Sequence, residues 1–185
     1  KRVCIFEKHD FKDSKKEVIR LEKENPLVSI ITPCYNGENV MHRLLDSILS
    51  QTYSNIEFIL INDGSTDHSE EIWYQYEKKF NEKGIKTIYI HQRNQGLGAA
   101  INAGLKVFTG DYLCWPDIDD YFEDTSVEKR VNFLETHKEY GSVSSDANQY
   151  MEDNLSEPVG TMASWLKHKE DEWQFEWLLK GQSLF

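Results

Sequence analysis

Three carboxylates, Asp117, Asp119 and Asp120, stand within four residues directly behind the apolar run Tyr112 to Trp115. Like charges so close repel, and the arrangement is costly unless solvent, a cation or a ligand's donors offset it. An Asp-x-Asp-Asp at a strand end can hold Mg²⁺ or Mn²⁺ through one or two carboxylates, leaving the other positions to phosphate oxygens and water. The competing use of such a triplet is a solvated acidic turn ahead of the next helix. Calcium in an EF-hand is excluded, because the sixth loop position is Phe122 where that loop needs Gly.

Other residues could act beside the aspartates. The ring of Tyr35, behind Pro33, could stack on a flat heterocycle or pack under its own loop. Asp63, in Asn-Asp-Gly-Ser-Thr, could accept a base's ring N–H or close an Asx turn with Gly64. Arg93 could meet a base carbonyl or a phosphate, or end in an exposed ion pair. No Gly-x4-Gly-Lys-Ser/Thr occurs, and no Gly-x-Gly-x-x-Gly follows the first apolar run, so neither a P-loop ATPase nor a dinucleotide oxidoreductase is supported.

These residues need elements to position them. The runs LVSIIT (27–32), IEFILI (56–61), IKTIYI (85–90) and DYLCW (111–115) suit buried strands, and GSVSSD (141–146) suits a fifth. Between them lie helical patterns. Met41, Leu44, Leu45, Ile48 and Leu49 form one apolar face; Asp67 and Glu70 resemble a capping box for a helix that Gly84 ends; the small residues of AAINAGLKVF suit close packing on a sheet; Thr125 and Glu128 resemble a cap for a helix with Val127, Val131 and Leu134 inward. Strands alternating with helices imply right-handed crossovers and an α/β fold with a mostly parallel sheet covered on both faces. Ligands of such sheets sit outside the carboxyl ends of the strands, where the Tyr35, Asp63, Arg93 and Asp117 loops fall. Asp171 and Glu172 read as charges at the start of a further helix with Trp173 and Trp177 on one face.

Composition bounds the function. Of 185 residues, 39% are hydrophobic and 29% charged, an ordinary globular balance with no stretch long enough for a membrane span. The net charge of −11 disfavours nucleic acid, so a phosphate-bearing ligand needs a local cation. Cys4, Cys34 and Cys114 are far apart and odd in number, which predicts reduced buried thiols and a cytoplasmic setting, peripheral to a membrane only through parts outside this chain. The chain opens without Met, and a piece of a longer protein is expected: a polar leader or linker over 1–26, then one domain over 27–185, truncated at its C-terminus.

Together VSIITPCYNGE, IEFILINDGSTD, NQGLGAAINAGL and GDYLCWPDIDD, in this order and spacing, resemble the nucleotide-sugar-binding half of the family 2 glycosyltransferases, over about residues 27–145. The resemblance implies the GT-A fold, a Rossmann-like, mostly parallel central sheet with helices on both faces. It implies an inverting transferase that uses a UDP-linked or similar donor with Mg²⁺ or Mn²⁺ and a glycan or other hydroxyl acceptor. It also implies roles: Pro33, Tyr35 and Asp63 cradle the base with Arg93 nearby, Asp117 contacts the ribose and shares the metal with Asp119, and Asp120 is the adjacent acid. The sequence departs from the family pattern at Asn62, where the first Asp of Asp-Asp-Gly-Ser is usual, at Ile101, and at Trp115-Pro116.

The chemistry implied is single displacement at the anomeric carbon, with a carboxylate removing the acceptor's proton. That base is expected beyond Phe185, and Asp146 is the first candidate inside the chain should one lie there. Two other classes stay open on the residues alone. A sugar-1-phosphate nucleotidyltransferase needs a Gly-rich, Arg-containing loop for which Pro-Cys-Tyr-Asn-Gly-Glu is a poor substitute, and a non-catalytic interaction domain needs none of the motifs.

Overall fold

The computed structural model describes residues 4–7, 25–151 and 154–161. The chain divides into two compact units, Val3–Ser144 and Ser145–Phe185 with Lys1–Arg2. In the first, the apolar runs become β2 (Val28–Cys34), β3 (Ile56–Asn62), β4 (Lys86–His91) and β5 (Tyr112–Cys114). They lie side by side as β4-β3-β2-β5, all parallel. Continuous hydrophobic runs suit this placement because β2, β3 and β5 are buried on both faces.

Period-two alternation sends successive side chains to opposite faces. Ile30, Phe58 and Leu60 pack with Met41, Leu44 and Ile48 of α1 (Met41–Leu49), Trp73 and Phe80 of α2 (Ser69–Glu82), and Val127 and Leu134 of α4 (Ser126–Thr136). Ile31, Ile59 and Ile61 pack on the other face with α3 (Leu97–Leu105), whose small residues Ala100 and Gly104 are buried as the close-packing reading expects. Phe58 stacks on Phe80 at 5.2 Å and meets Trp73 at 5.7 Å.

From β2 the chain steps outward to β3 and β4, then crosses back through α3 to β5 on the other side of β2. The direction of winding therefore reverses between β2 and β5, which is where α/β sheets open a ligand crevice.

Residues 1–26, expected as a leader outside the core, contribute a strand: β1 (Cys4–Glu7) runs antiparallel between β5 and β6 (Ser142–Ser144). An antiparallel pairing of four residues needs little sequence signal beyond the Cys4–Phe6 apolar run, because the edge of β5 supplies the backbone partners. The expected fifth strand is β6, and it closes this antiparallel side of the sheet.

The expected capping box forms in part at α2 and not at α4. Asp67 Oδ1 accepts from Ser69 N and Oγ at the start of α2, but Glu70 turns away to Tyr74 and Tyr89. At α4, Glu128 accepts from Thr52 while Gln51 receives the Val127 N–H. At the amino edge of the sheet, fully buried Glu57 collects donors from Ser29, Lys86, Thr109 and Gly110, fixing the turn that launches β5.

In the second unit β7 (Asn148–Gln149) and β8 (Gly160–Thr161) pair antiparallel, and Asp146 accepts from the Ala147 N–H. Residues 8–24 of the expected leader, together with Asp171, Glu172, Trp173 and Trp177, lie outside the described residues. No described helix is long and apolar enough to cross a membrane.

Candidate functional site

Every residue singled out from the first four motifs leaves the same edge of the sheet. Pro33 is buried at the end of β2 opposite Ile61, and Tyr35 follows, 53% exposed. Asp63 follows β3 directly, Arg93 stands exposed two residues after β4, and Asp117 lies three residues after β5.

Asp63 is 3% exposed, and its carboxylate is not closing an Asx turn with Gly64. It accepts from Gln92 Nε2 at 2.7 Å, Gln95 N at 3.0 Å and Gly96 N at 2.8 Å. Arg93 therefore sits inside a loop that Asp63 grips at both ends. Burial works against the charge, but these donors outweigh it and hold the carboxyl below the usual range. An ionised carboxylate offers about four acceptor sites. Three donors leave room for one more, such as the ring N–H of a base.

The neighbour closes the turn instead: Asn62 Oδ1 accepts from Ser65 N, three residues on, at 2.8 Å. Gly64 sits at φ +75°, and a Cβ there would stand 2.8 Å from Asn94 N, so the turn needs the left-handed conformation and the missing side chain together.

A set of side chains that the sequence reading passed over ties the β2 loop to the β3 loop. Asn36 N, Gly37 N and Glu38 N donate to Ser65 Oγ, Ser69 Oγ and Asp67 Oδ2, while Thr66 N and His68 N donate back to Asn36 Oδ1 and Glu38 Oε2. Asn36 adopts φ 51°, which an Asn tolerates. The density of small polar residues in Tyr-Asn-Gly-Glu and Gly-Ser-Thr-Asp-His-Ser was the available signal; the pairing across about thirty residues was not. Beneath them Cys34 is a buried thiol, pushed up by burial and so protonated, and Cys114 is buried in β5 outside any disulfide.

The aspartate loop forms a tight turn. Asp120 N donates to Asp117 O at 3.1 Å, and Asp120 Oδ2 accepts from Asp117 N at 3.3 Å, so Asp120 stabilises the turn that presents its neighbours. Asp117 is half-buried and Asp119 exposed. Ile118 anchors the loop: a Cβ on Gly37 would approach it to 3.1 Å, which sets the β5 loop against the β2 loop at the winding reversal. Phe122 N adds a bond to Ser47 Oγ of α1. Among the described residues no group of three or more His, Cys, Asp and Glu side chains is arranged to hold a metal ion by itself.

The model of the family described as glycosyl transferase family 2 matches residues 29–180. An uncharacterized glycosyltransferase of Rickettsia prowazekii is 44% identical over 110 residues, 60% of this chain and 32% of that protein. Glycosyltransferase GlyA of Streptococcus pneumoniae is 46% identical over 101 residues, 55% of this chain and 14% of that protein. Among solved structures, S. aureus TarS 1–349 in complex with UDP has a TM-score of 0.55 at 26% identity, covering 60% of this chain and 33% of that one. The chain thus spans about a third or less of the length of these relatives.

Proposed function

The chain belongs to glycosyl transferase family 2, and from that premise we propose that its parallel-sheet unit is the donor-binding part of a metal-dependent, inverting glycosyltransferase. The donor is a nucleotide-diphosphate sugar, UDP-linked, and the acceptor a hydroxyl of a glycan or similar molecule. One observation carries the reading: four loops converge at the carboxyl edge beside the β2/β5 reversal, with Asp63 held charged by three donors and one acceptor position to spare. The likeness to TarS, solved with UDP, supports the choice of base.

In this reading Tyr35 offers its exposed ring to the face of the base and Asp63 accepts its ring N–H. Arg93 lies beside them in the loop that Asp63 grips. Asp117 takes the ribose hydroxyls and Asp119 faces the diphosphate. The donor set suits a hard divalent ion: Asp119 with Asp117 supply one or two carboxylate oxygens, the share Mg²⁺ or Mn²⁺ takes from protein when phosphates and water complete its shell. When bound, the ion supplies charge neutralisation for the departing diphosphate. We assign the carboxylate that removes the acceptor's proton to the full-length protein beyond Phe185.

A thermal-shift panel of UDP-, GDP- and dTDP-sugars with and without Mn²⁺ tests the reading. A UDP-sugar at 100 times its Kd should stabilise the protein by about 2.7 kcal/mol, and only with metal. No stabilisation by any of the nucleotides would refute it.

A further inference from the structure

We propose that Asn62, Tyr89 and Glu70 form a hydrogen-bond relay of fixed direction that holds the 62–65 turn, making Asn62 and Glu70 positioning residues for the base contacted by Asp63. The bearing on the base rests on the nucleotide-binding reading above; the relay rests on geometry alone.

Asn62 ends β3, 2% exposed, with both halves of its amide engaged. Its Oδ1 accepts from Ser65 N at 2.8 Å and its Nδ2 donates to the Tyr89 hydroxyl at 2.9 Å. Tyr89 in turn donates to Glu70 Oε1 at 3.0 Å, an oxygen that also receives the Tyr74 hydroxyl at 3.2 Å and lies 3.6 Å from His91 Nδ1. The relay links the first turn of α2 and the middle of β4 to the turn that carries Asp63.

Its direction is forced. A backbone N–H can only donate, so the Asn62 carbonyl oxygen must face Ser65, and the amide nitrogen is left to face Tyr89. A carboxylate can only accept, so the single phenol proton goes to Glu70, and the phenol oxygen is then free to accept from Asn62. Burial, opposed by the Asn62 donation and reinforced by Glu70, pushes the Tyr89 hydroxyl well above its ordinary range and keeps that proton in place.

This gives the departure at Asn62 a physical reason. With Asp at this position, as in the related loops, two carboxylates would face one phenol proton, and one of them would lose the Tyr89 donor beside a like charge. Asn at 62 is matched to Glu at 70. The opposite polarity is equally self-consistent: an amide at 70 donates to the phenol, and the phenol donates to a carboxylate at 62.

A double-mutant cycle tests the inference, with thermal melting and UDP titration in the presence of Mn²⁺ on wild type, Asn62→Asp, Glu70→Gln and the pair. Glu70→Gln alone should melt close to wild type, because the new side-chain oxygen still accepts the phenol proton. Asn62→Asp should melt several degrees lower and bind UDP about tenfold more weakly, equivalent to ~1.4 kcal/mol. The pair should recover most of both losses, and if Asn62→Asp fails to fold, recovery of folding in the pair is the same result. In a Tyr89→Phe background the coupling should vanish and the two substitutions become additive. Wild-type melting by Asn62→Asp, or no recovery in the pair, would overturn the relay. The expected melting pattern with no UDP binding by wild type would retain the relay and remove its role toward a base.

Discussion

Substituting Glu57→Gln removes a charge that five donors hold inside the sheet: Ser29 Oγ, Thr109 N, Thr109 Oγ1, Gly110 N and Lys86 Nζ. Burial opposes the ionised form, yet these donors prevail and lower the carboxyl from its ordinary 4.5 to about 2. At 1.36 kcal/mol per pH unit, that difference amounts to ~3 kcal/mol of stability. A depressed folded-state value means that the contribution is complete above about pH 5 and fades as pH falls toward 2, with less than half left near pH 3. Gln cannot follow this course, because its NH₂ must face either Lys86 or the Ser29 and Thr109 donors, and it does not titrate. Urea or thermal denaturation of both proteins from pH 7 to pH 3 reads the effect. At pH 7 the variant should be weaker by ~3 kcal/mol, a fall in Tm of about 6–12 °C for a chain of this size. Toward pH 3 the gap should narrow as wild type loses its advantage. The exposed Lys86 makes only a screened contribution, so added salt should change the gap little. A gap independent of pH would refute the reasoning.

Three further outcomes are expected. Asp119→Ala should abolish the Mn²⁺ dependence of UDP binding and weaken it at least about tenfold, with Asp117→Ala milder; unchanged affinity and metal dependence in calorimetric titration would remove Asp119 from the metal. Asp63→Ala strips partners from Gln92, Gln95 and Gly96, each worth ~1–3 kcal/mol when left unsatisfied, and should weaken uridine and UDP alike; uridine binding that survives while UDP binding is lost would reverse the assigned roles. Gly64→Ala forces a side chain into a left-handed turn and against Asn94, and should cost ~1–3 kcal/mol in thermal denaturation; an unaltered Tm would mean the turn is not held as described.

The strands and their order of use were legible because buried parallel strands advertise themselves as apolar runs, and the loops behind them followed by rule. Partnerships across distance were not. Nothing in Asn-Asp-Gly-Ser distinguishes which of two adjacent side chains closes the turn; the choice is made by Gln92, Gln95 and Gly96, about thirty residues on, which claim Asp63 and leave the turn to Asn62. Glu57 is a lone charge inside IEFILI that the sequence reading did not take up, and its partners at Thr109 and Gly110 come from the far side of two helices. The Cys4–Glu7 strand was hidden among charges because a short antiparallel strand draws its stability from its neighbour's backbone rather than from its own pattern.

The way the chain spends its carboxylates links fold to function. With a net charge of −11, it must either expose acids or supply donors for them. Glu57, Asp63 and Asp67 take backbone and side-chain donors from other segments, so each behaves as a tie between loops and is lowered from its ordinary range by that use. The β2, β3 and β4 loops are bound into one unit by the last two of these and by Asn36, Glu38 and Ser69. Such a unit has settled the conformational entropy of its loops before a ligand arrives, the condition under which a planar base gains affinity from a few polar contacts. Asp119 is treated differently: it is exposed, on a turn that Asp120 braces and Ile118 anchors. Tied loops beside an exposed acid suit the proposed division, in which the base is recognised by the protein's own groups while the diphosphate arrives with a cation. Substitutions among the three tied loops should therefore be non-additive with one another in UDP binding, as side chains in one hydrogen-bond network are.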